Sequence, residues 1–203
     1  MEFDVNNPHL APNRYHDRHF SQDAVKILPG EYYVTTQNML IVTVLGSCVS
    51  VCLRDPIAGV SGMNHFLLPS DNGGGDLISD SARYGVFAMD ILINHMLKLG
   101  ANRQRLEAKV FGGGNVLKGF TAINVGERNA EFVLDYLATE QIPILAKDLL
   151  DFYPRKIYFF SDSGEVLVRK IKKLHNNTIM DRESAYRLQL RPQQSGSVEM
   201  FDD

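Results

Sequence analysis

The stretch from Ile41 to Pro69, IVTVLGSCVSVCLRDPIAGVSGMNHFLLP, constrains this chain more than any other. Two apolar runs flank a turn. Val49-Ser50-Val51-Cys52-Leu53 alternates with period two, which is a strand pattern. Asp55-Pro56 supplies turn chemistry, and Gly59 lets the chain restart. Val60 to Leu68 is apolar again and stops at Pro69. The pattern predicts a β-hairpin. With Asp55 to Ala58 as its loop, Arg54 faces Gly59, and Cys48 falls opposite His65. Directly opposed residues of an antiparallel pair have Cβ atoms roughly 4.5–5.5 Å apart, which is the reach a thiol needs to meet an imidazole.

A thiol beside an imidazole is a candidate nucleophile with its base. A free cysteine has a pKa near ~8.5, and a neighbouring imidazolium lowers it. Gly46 and Ser47 precede the cysteine. Glycine permits a tight turn there and leaves main-chain N–H groups to face a developing oxyanion. The competing reading makes Cys48 a small buried hydrophobe, the usual fate of a free cysteine.

The segments LGSCVSVCLRDP and GMNHFLLP, followed in order by RLEAKVFGGGN, INVGERN and GEVLVRKIKK, resemble the chemoreceptor glutamine deamidases, the CheD family. The resemblance covers roughly Val25 to Leu174. It implies hydrolysis of glutamine side-chain amides in chemotaxis receptors, and also of receptor glutamyl methyl esters. It places the family's nucleophile on Cys48, its histidine on His65 and the third member of the triad on Thr43. It implies no metal and no cofactor. It names methyl-accepting chemotaxis receptors as substrates and a CheC-type phosphatase as a further partner. Leu149-Leu150-Asp151-Phe152-Tyr153-Pro154 departs from the pattern, because many relatives carry a Gly-Gly stretch there.

The remaining chain fits one domain of 203 residues, with residues 1–23 as a flexible polar tail, 24–174 as the catalytic domain and 175–203 as a polar extension. A net charge of −3 leaves no basic footprint for nucleic acid. Two cysteines make no disulfide framework. No apolar run reaches the ~20 residues of a membrane helix, and the polar opening is not a signal peptide, so the expected location is the cytoplasm. Short strands are expected at Val25–Leu28, Tyr32–Thr35, Leu40–Val44, Ala108–Phe111 and Ile142–Ala146. One amphipathic helix should run from a cap at Ser79 or Asp80 to Gly100, with Val86, Met89, Ile93, Met96 and Leu97 on its apolar side. A second should span Gly126 to Ala138. Lys156–Phe160 and Val166–Ile171 read as another hairpin around Asp162-Ser163-Gly164.

The expected fold class is α+β, with two long helices on β-sheet. The family resemblance refines it to the layered α/β/β arrangement of bacterial necrotizing-factor deamidases. Three functional classes follow: a cysteine amidohydrolase acting on receptor glutamines; a chemotaxis binding module that docks a CheC-type phosphatase; and a structural zinc or nucleotide protein. Cys48, Cys52 and His65 lack a fourth ligand for closed zinc, and two strand residues four apart sit about 13 Å from each other. Gly112-Gly113-Gly114-Asn115 follows a strand but matches neither phosphate-binding glycine motif. Close backbone approach to substrate is the better use of three glycines.

Overall fold

The computed structural model describes residues 9–69, 80–115, 125–171 and 178–190. Its strands are β1 (Asn13–Asp17), β2 (Gln22–Lys26), β3 (Tyr32–Thr35), β4 (Leu40–Leu45), β5 (Val49–Asp55), β6 (Val60–Asn64), β7 (Glu107–Gly112), β8 (Ile144–Leu149), β9 (Arg155–Phe160) and β10 (Val166–Lys170). The helices are α1 (Asp80–Lys98), α2 (Val125–Thr139) and α3 (Thr178–Gln189). The α+β expectation holds. An inner sheet runs β3-β6-β5-β7-β8 and an outer sheet runs β1-β2-β4-β9-β10.

Alternation along β5 builds two cores. Val49, Val51 and Leu53 face α1 and α2, where they meet Met89, Leu92, Ile93 and Val133. Cys48 and Cys52 face the other way, toward Ile41, Leu45, Ile157 and Phe159 of the outer sheet. The inner sheet is therefore covered on both faces, so its strands read as near-continuous apolar runs rather than clean alternations. Each fully buried Leu, Ile or Met contributes about 1.5–3 kcal/mol over its exposed state. Among the described residues no helix is long and apolar enough to cross a membrane.

The β5–β6 hairpin forms with a register two residues from the expected one. Asp55 pairs with Val60 and Cys52 with Met63, and the bridge Val49↔Phe66 continues that count. Cys48 therefore lies opposite Leu67, and His65 opposite Ser50. The cause is Asp55, which ends the strand instead of opening the loop. Its carboxylate accepts the Ile57 and Ala58 amides, both at 3.0 Å, and is gripped by Arg105. A slip of two preserves the face each side chain points to. Cys48 and His65 remain on one side of the sheet as diagonal neighbours instead of a direct pair.

The chain termini also differ from expectation. Residues 13–26, of which the expected tail 1–23 takes in the first part, are paired strands and their connection. They form the β1–β2 hairpin, and β2 adds parallel to β4. An edge strand with one exposed residue after another, as in β1, has no hydrophobic period for a sequence reading to find. Within 175–203, residues 178–189 form α3. Val86 is 40% exposed, so the apolar side of α1 is carried by Met89, Leu92, Ile93 and Met96. β8 starts two residues later than expected, after the left-handed Gln141. Residues 71–76, whose sequence DNGGGD suggests a flexible connector after His65, lie outside the described residues.

Candidate active site

The outer sheet hands the chain to the inner sheet between β4 and β5, and the linking residues are Gly46, Ser47 and Cys48. Every carbonyl of that link is tied down. Gly46 O accepts from the Gly114 amide and Cys48 O from the Gly113 amide, each at 2.8 Å. Ser47 O accepts from Asn129 Nδ2 at 2.8 Å. Gly112 and Gly113 adopt φ of 112° and 65°, a region open to glycine at little cost. A Cβ on Gly112 would collide with the Cys48 carbonyl. The three glycines thus approach the backbone of the link, where the sequence suggested approach to substrate.

With the carbonyls pinned outward, the three amides point the other way, to one spot. That spot holds the side chain of Glu183 from α3. Its Oε1 accepts from the amides of Gly46 at 2.9 Å and Cys48 at 3.2 Å. Its Oε2 accepts from the Ser47 amide at 3.1 Å and the Ser47 hydroxyl at 2.6 Å. Successive amides converging on a carboxylate form an anion nest.

Thr43 shares its face of β4 with Ile41 and Leu45 and so faces the space between the sheets. Its Oγ1 lies 2.7 Å from His65 Nδ1, and its hydroxyl donates to Ile27 O at 2.8 Å. The single hydroxyl hydrogen is committed to Ile27. Thr43 therefore accepts from His65, which fixes the hydrogen on Nδ1 and leaves the lone pair on Nε2. Nε2 is buried, with no hydrogen-bond partner among the described residues. The main chain of His65 is held as well, by His65 N to Glu31 O at 2.9 Å and Gly30 N to His65 O at 2.7 Å.

Cys48 and Thr43 are each 0% exposed and His65 is 2% exposed. Burial pushes the His65 pKa down to about 4, against the raising influence of the Glu183 charge and of the imidazole's own approach to the Ile27 carbonyl. With α3 in place the imidazole is neutral, so the expected imidazolium is not the form this closed site favours. Cys52 is buried in the inter-sheet core, and burial drives its thiol pKa far up, opposed only by Lys109. Among the described residues no three His, Cys, Asp or Glu side chains converge as metal ligands.

The structure thus brings together Thr43, Gly46, Ser47, Cys48 and His65. Sequence reasoning missed Asn129 and Glu183. Asn129 lies in the quoted INVGERN segment, but an asparagine on a helix reads as surface unless its partners are known. Glu183 lies in a polar segment with little amphipathic pattern, and nothing local marks it.

The family model described as CheD chemotactic sensory transduction matches residues 67–170. A Shewanella oneidensis protein named "Probable chemoreceptor glutamine deamidase CheD 1" is 64% identical over 205 residues, covering 100% of this chain and 98% of that one. A protein of the same name from Dechloromonas aromatica is 60% identical and covers 95% of this chain and 96% of its own. A Janthinobacterium protein named "Probable chemoreceptor glutamine deamidase CheD" is 59% identical, with 98% of both chains covered. The chain belongs to the CheD family. A solved structure of a hypothetical protein YfiH from Bacillus licheniformis aligns at a TM-score of 0.37 with 12% identity, over 60% of this chain and 49% of that one, a likeness too small to bear on fold or function.

Proposed function

We propose that this protein is a cytoplasmic chemoreceptor glutamine deamidase that works through the Cys48 thiol. Family membership and the names of its relatives support the reaction class. The observation that carries the residue assignment is the relay from Ile27 O through Thr43 to His65 Nδ1. That relay presents an unprotonated Nε2 on the side of the sheet that also carries Cys48, next to three convergent amides.

In this mechanism Nε2 takes the thiol proton, and the Cys48 sulfur attacks the glutamine carboxamide carbon. The amides of Gly46, Ser47 and Cys48 receive the oxyanion, where preorganised donors stabilise charge without reorganising. The C–N bond breaks, Nε2–H protonates the departing ammonia, and a thioester remains. Water, giving its proton to Nε2, then hydrolyses the thioester to glutamate and restores the thiol. Thr43 holds the ring and its tautomer, the third-member role in such triads. A glutamyl methyl ester would follow the same route with methanol as the leaving group. The fold reading that accompanies this chemistry is the layered arrangement of necrotizing-factor-type deamidases. A CheC-type phosphatase is a further partner within this reading, and its signature would be competition with receptor for the Cys48 surface.

The test is ammonia release from a receptor cytoplasmic fragment in a single turnover. Wild type should release ammonia and pass through a thioester that hydroxylamine traps. Release by Cys48→Ala at the wild-type rate would rule the thiol mechanism out.

A further inference from the structure

The nest that should receive the oxyanion is occupied by the chain's own carboxylate. A glutamate side chain is also the product of glutamine deamidation. Both oxygens of Glu183 accept hydrogen bonds from the link that carries the nucleophile, and Glu183 is 4% exposed. The surface around it is cut to receive α3. A Cβ at Gly46 would stand 2.7 Å from Glu183 Oε1, and one at Gly30 would stand 2.6 Å from the Tyr186 hydroxyl. Tyr186, one helical turn beyond Glu183, meets the Tyr84 hydroxyl of α1. Lys26 to Pro29, Val44 and His65 close the wall beside Glu183 and Arg182. Two glycines on two different loops thus match two side chains three residues apart on one helix.

We infer that α3 is a resident product mimic: Glu183 occupies the position of the product carboxylate, and α3 must leave before a receptor glutamine can enter. The inference deepens the deamidase reading and rests on it for the word product. That α3 shuts the site off stands on geometry alone. In the closed state Cys48 is fully buried, so neither substrate nor a thiol reagent reaches it without displacement of the helix. Glu183 is an occupant that competes with substrate, and no catalytic role falls to it.

The experiment uses the full chain and reads two quantities. The first is the rate of Cys48 alkylation by iodoacetamide without receptor, with Cys48→Ala marking the labelled site. The second is KM and kcat for a receptor fragment. Glu183→Ala should label about tenfold faster or more, a displacement within the ordinary range of coupled equilibria, and should lower KM while kcat is kept. Tyr186→Ala, which loosens the helix without touching the nest, should do the same and guards against one variant failing to fold. Glu183→Gln should also label faster, because its NH2 would oppose donors that both carboxylate oxygens now accept. Labelling of all three folded variants at the wild-type rate would overturn the inference, as would loss of receptor turnover in Glu183→Ala. Faster labelling in variants that, like wild type, never deamidate receptor would uphold the occluding helix and sink the deamidase reading instead.

Discussion

Asn129 gives the sharpest test of how the link from Gly46 to Cys48 is held. It is 0% exposed on α2 and bridges two main-chain groups. Its Oδ1 accepts from Leu68 N at 3.0 Å, and its Nδ2 donates to Ser47 O at 2.8 Å. Asn129→Ala strands both groups in the interior. Each orphaned buried group costs about 1–3 kcal/mol, so the loss is about 2–6 kcal/mol, a large share of the ~5–15 kcal/mol that holds a typical domain. Asn129→Asp is the finer probe. It keeps the acceptor for Leu68 but sets a carboxylate oxygen against the Ser47 carbonyl. That contact and burial would raise the new carboxyl pKa above its usual ~3.9. The folded variant would then bind more protons than the unfolded one, so its deficit against wild type should shrink as pH falls. Urea unfolding at constant m, run at neutral and acid pH, reads both effects. A wild-type midpoint for Asn129→Ala would refute the bridge. A pH-independent deficit for Asn129→Asp would refute the contact between this side chain and the Ser47 carbonyl.

Thr43→Val keeps the shape of the side chain and deletes the relay, so kcat should fall by about 10²-fold, whereas Thr43→Ser should keep most of it. Equal rates for the two variants would remove the hydroxyl from the site. Cys52→Ala should retain activity and lose only about 1 kcal/mol from a small cavity, checked by ammonia release beside urea unfolding. The His65 pKa of about 4 lies below its unfolded value of ~6.5. The unfolded chain therefore binds the extra proton between those values. The resulting stability penalty is absent above ~6.5, grows as pH falls through that window, and is fully developed at roughly 3 kcal/mol below it. His65→Leu should flatten this part of the urea-midpoint profile, and an unchanged profile would show that His65 is not buried neutral.

Much of this architecture was legible because it rests on local pattern. The alternation through Val49–Leu53, the turn at Asp55-Pro56 and the period of α1 each encode their own element. Gly46, Ser47, Cys48 and His65 were legible as a group because one continuous stretch carries them, and the family resemblance added Thr43 to it. The hairpin register was not, since it depends on Arg105 reaching Asp55 from another part of the chain. The parity of the register survived the two-residue slip, and that parity alone puts thiol and imidazole on one face. The β1–β2 hairpin was hidden because an exposed edge strand lacks a buried face to imprint a period. Glu183 was hidden because its partners are backbone amides 135 to 137 residues away. Backbone amides leave no mark in sequence, and a charged residue in a polar helix reads as solvent-facing.

In the proposed mechanism the Cys48 sulfur converts receptor glutamine to glutamate. The most direct measurement is peptide-resolved mass spectrometry of a receptor cytoplasmic fragment after incubation with wild type or Cys48→Ala. Wild type should give defined glutamine sites that have gained the mass difference of OH replacing NH2, and Cys48→Ala, equally folded, should give none. The same sites modified at the same rate by Cys48→Ala would contradict the account.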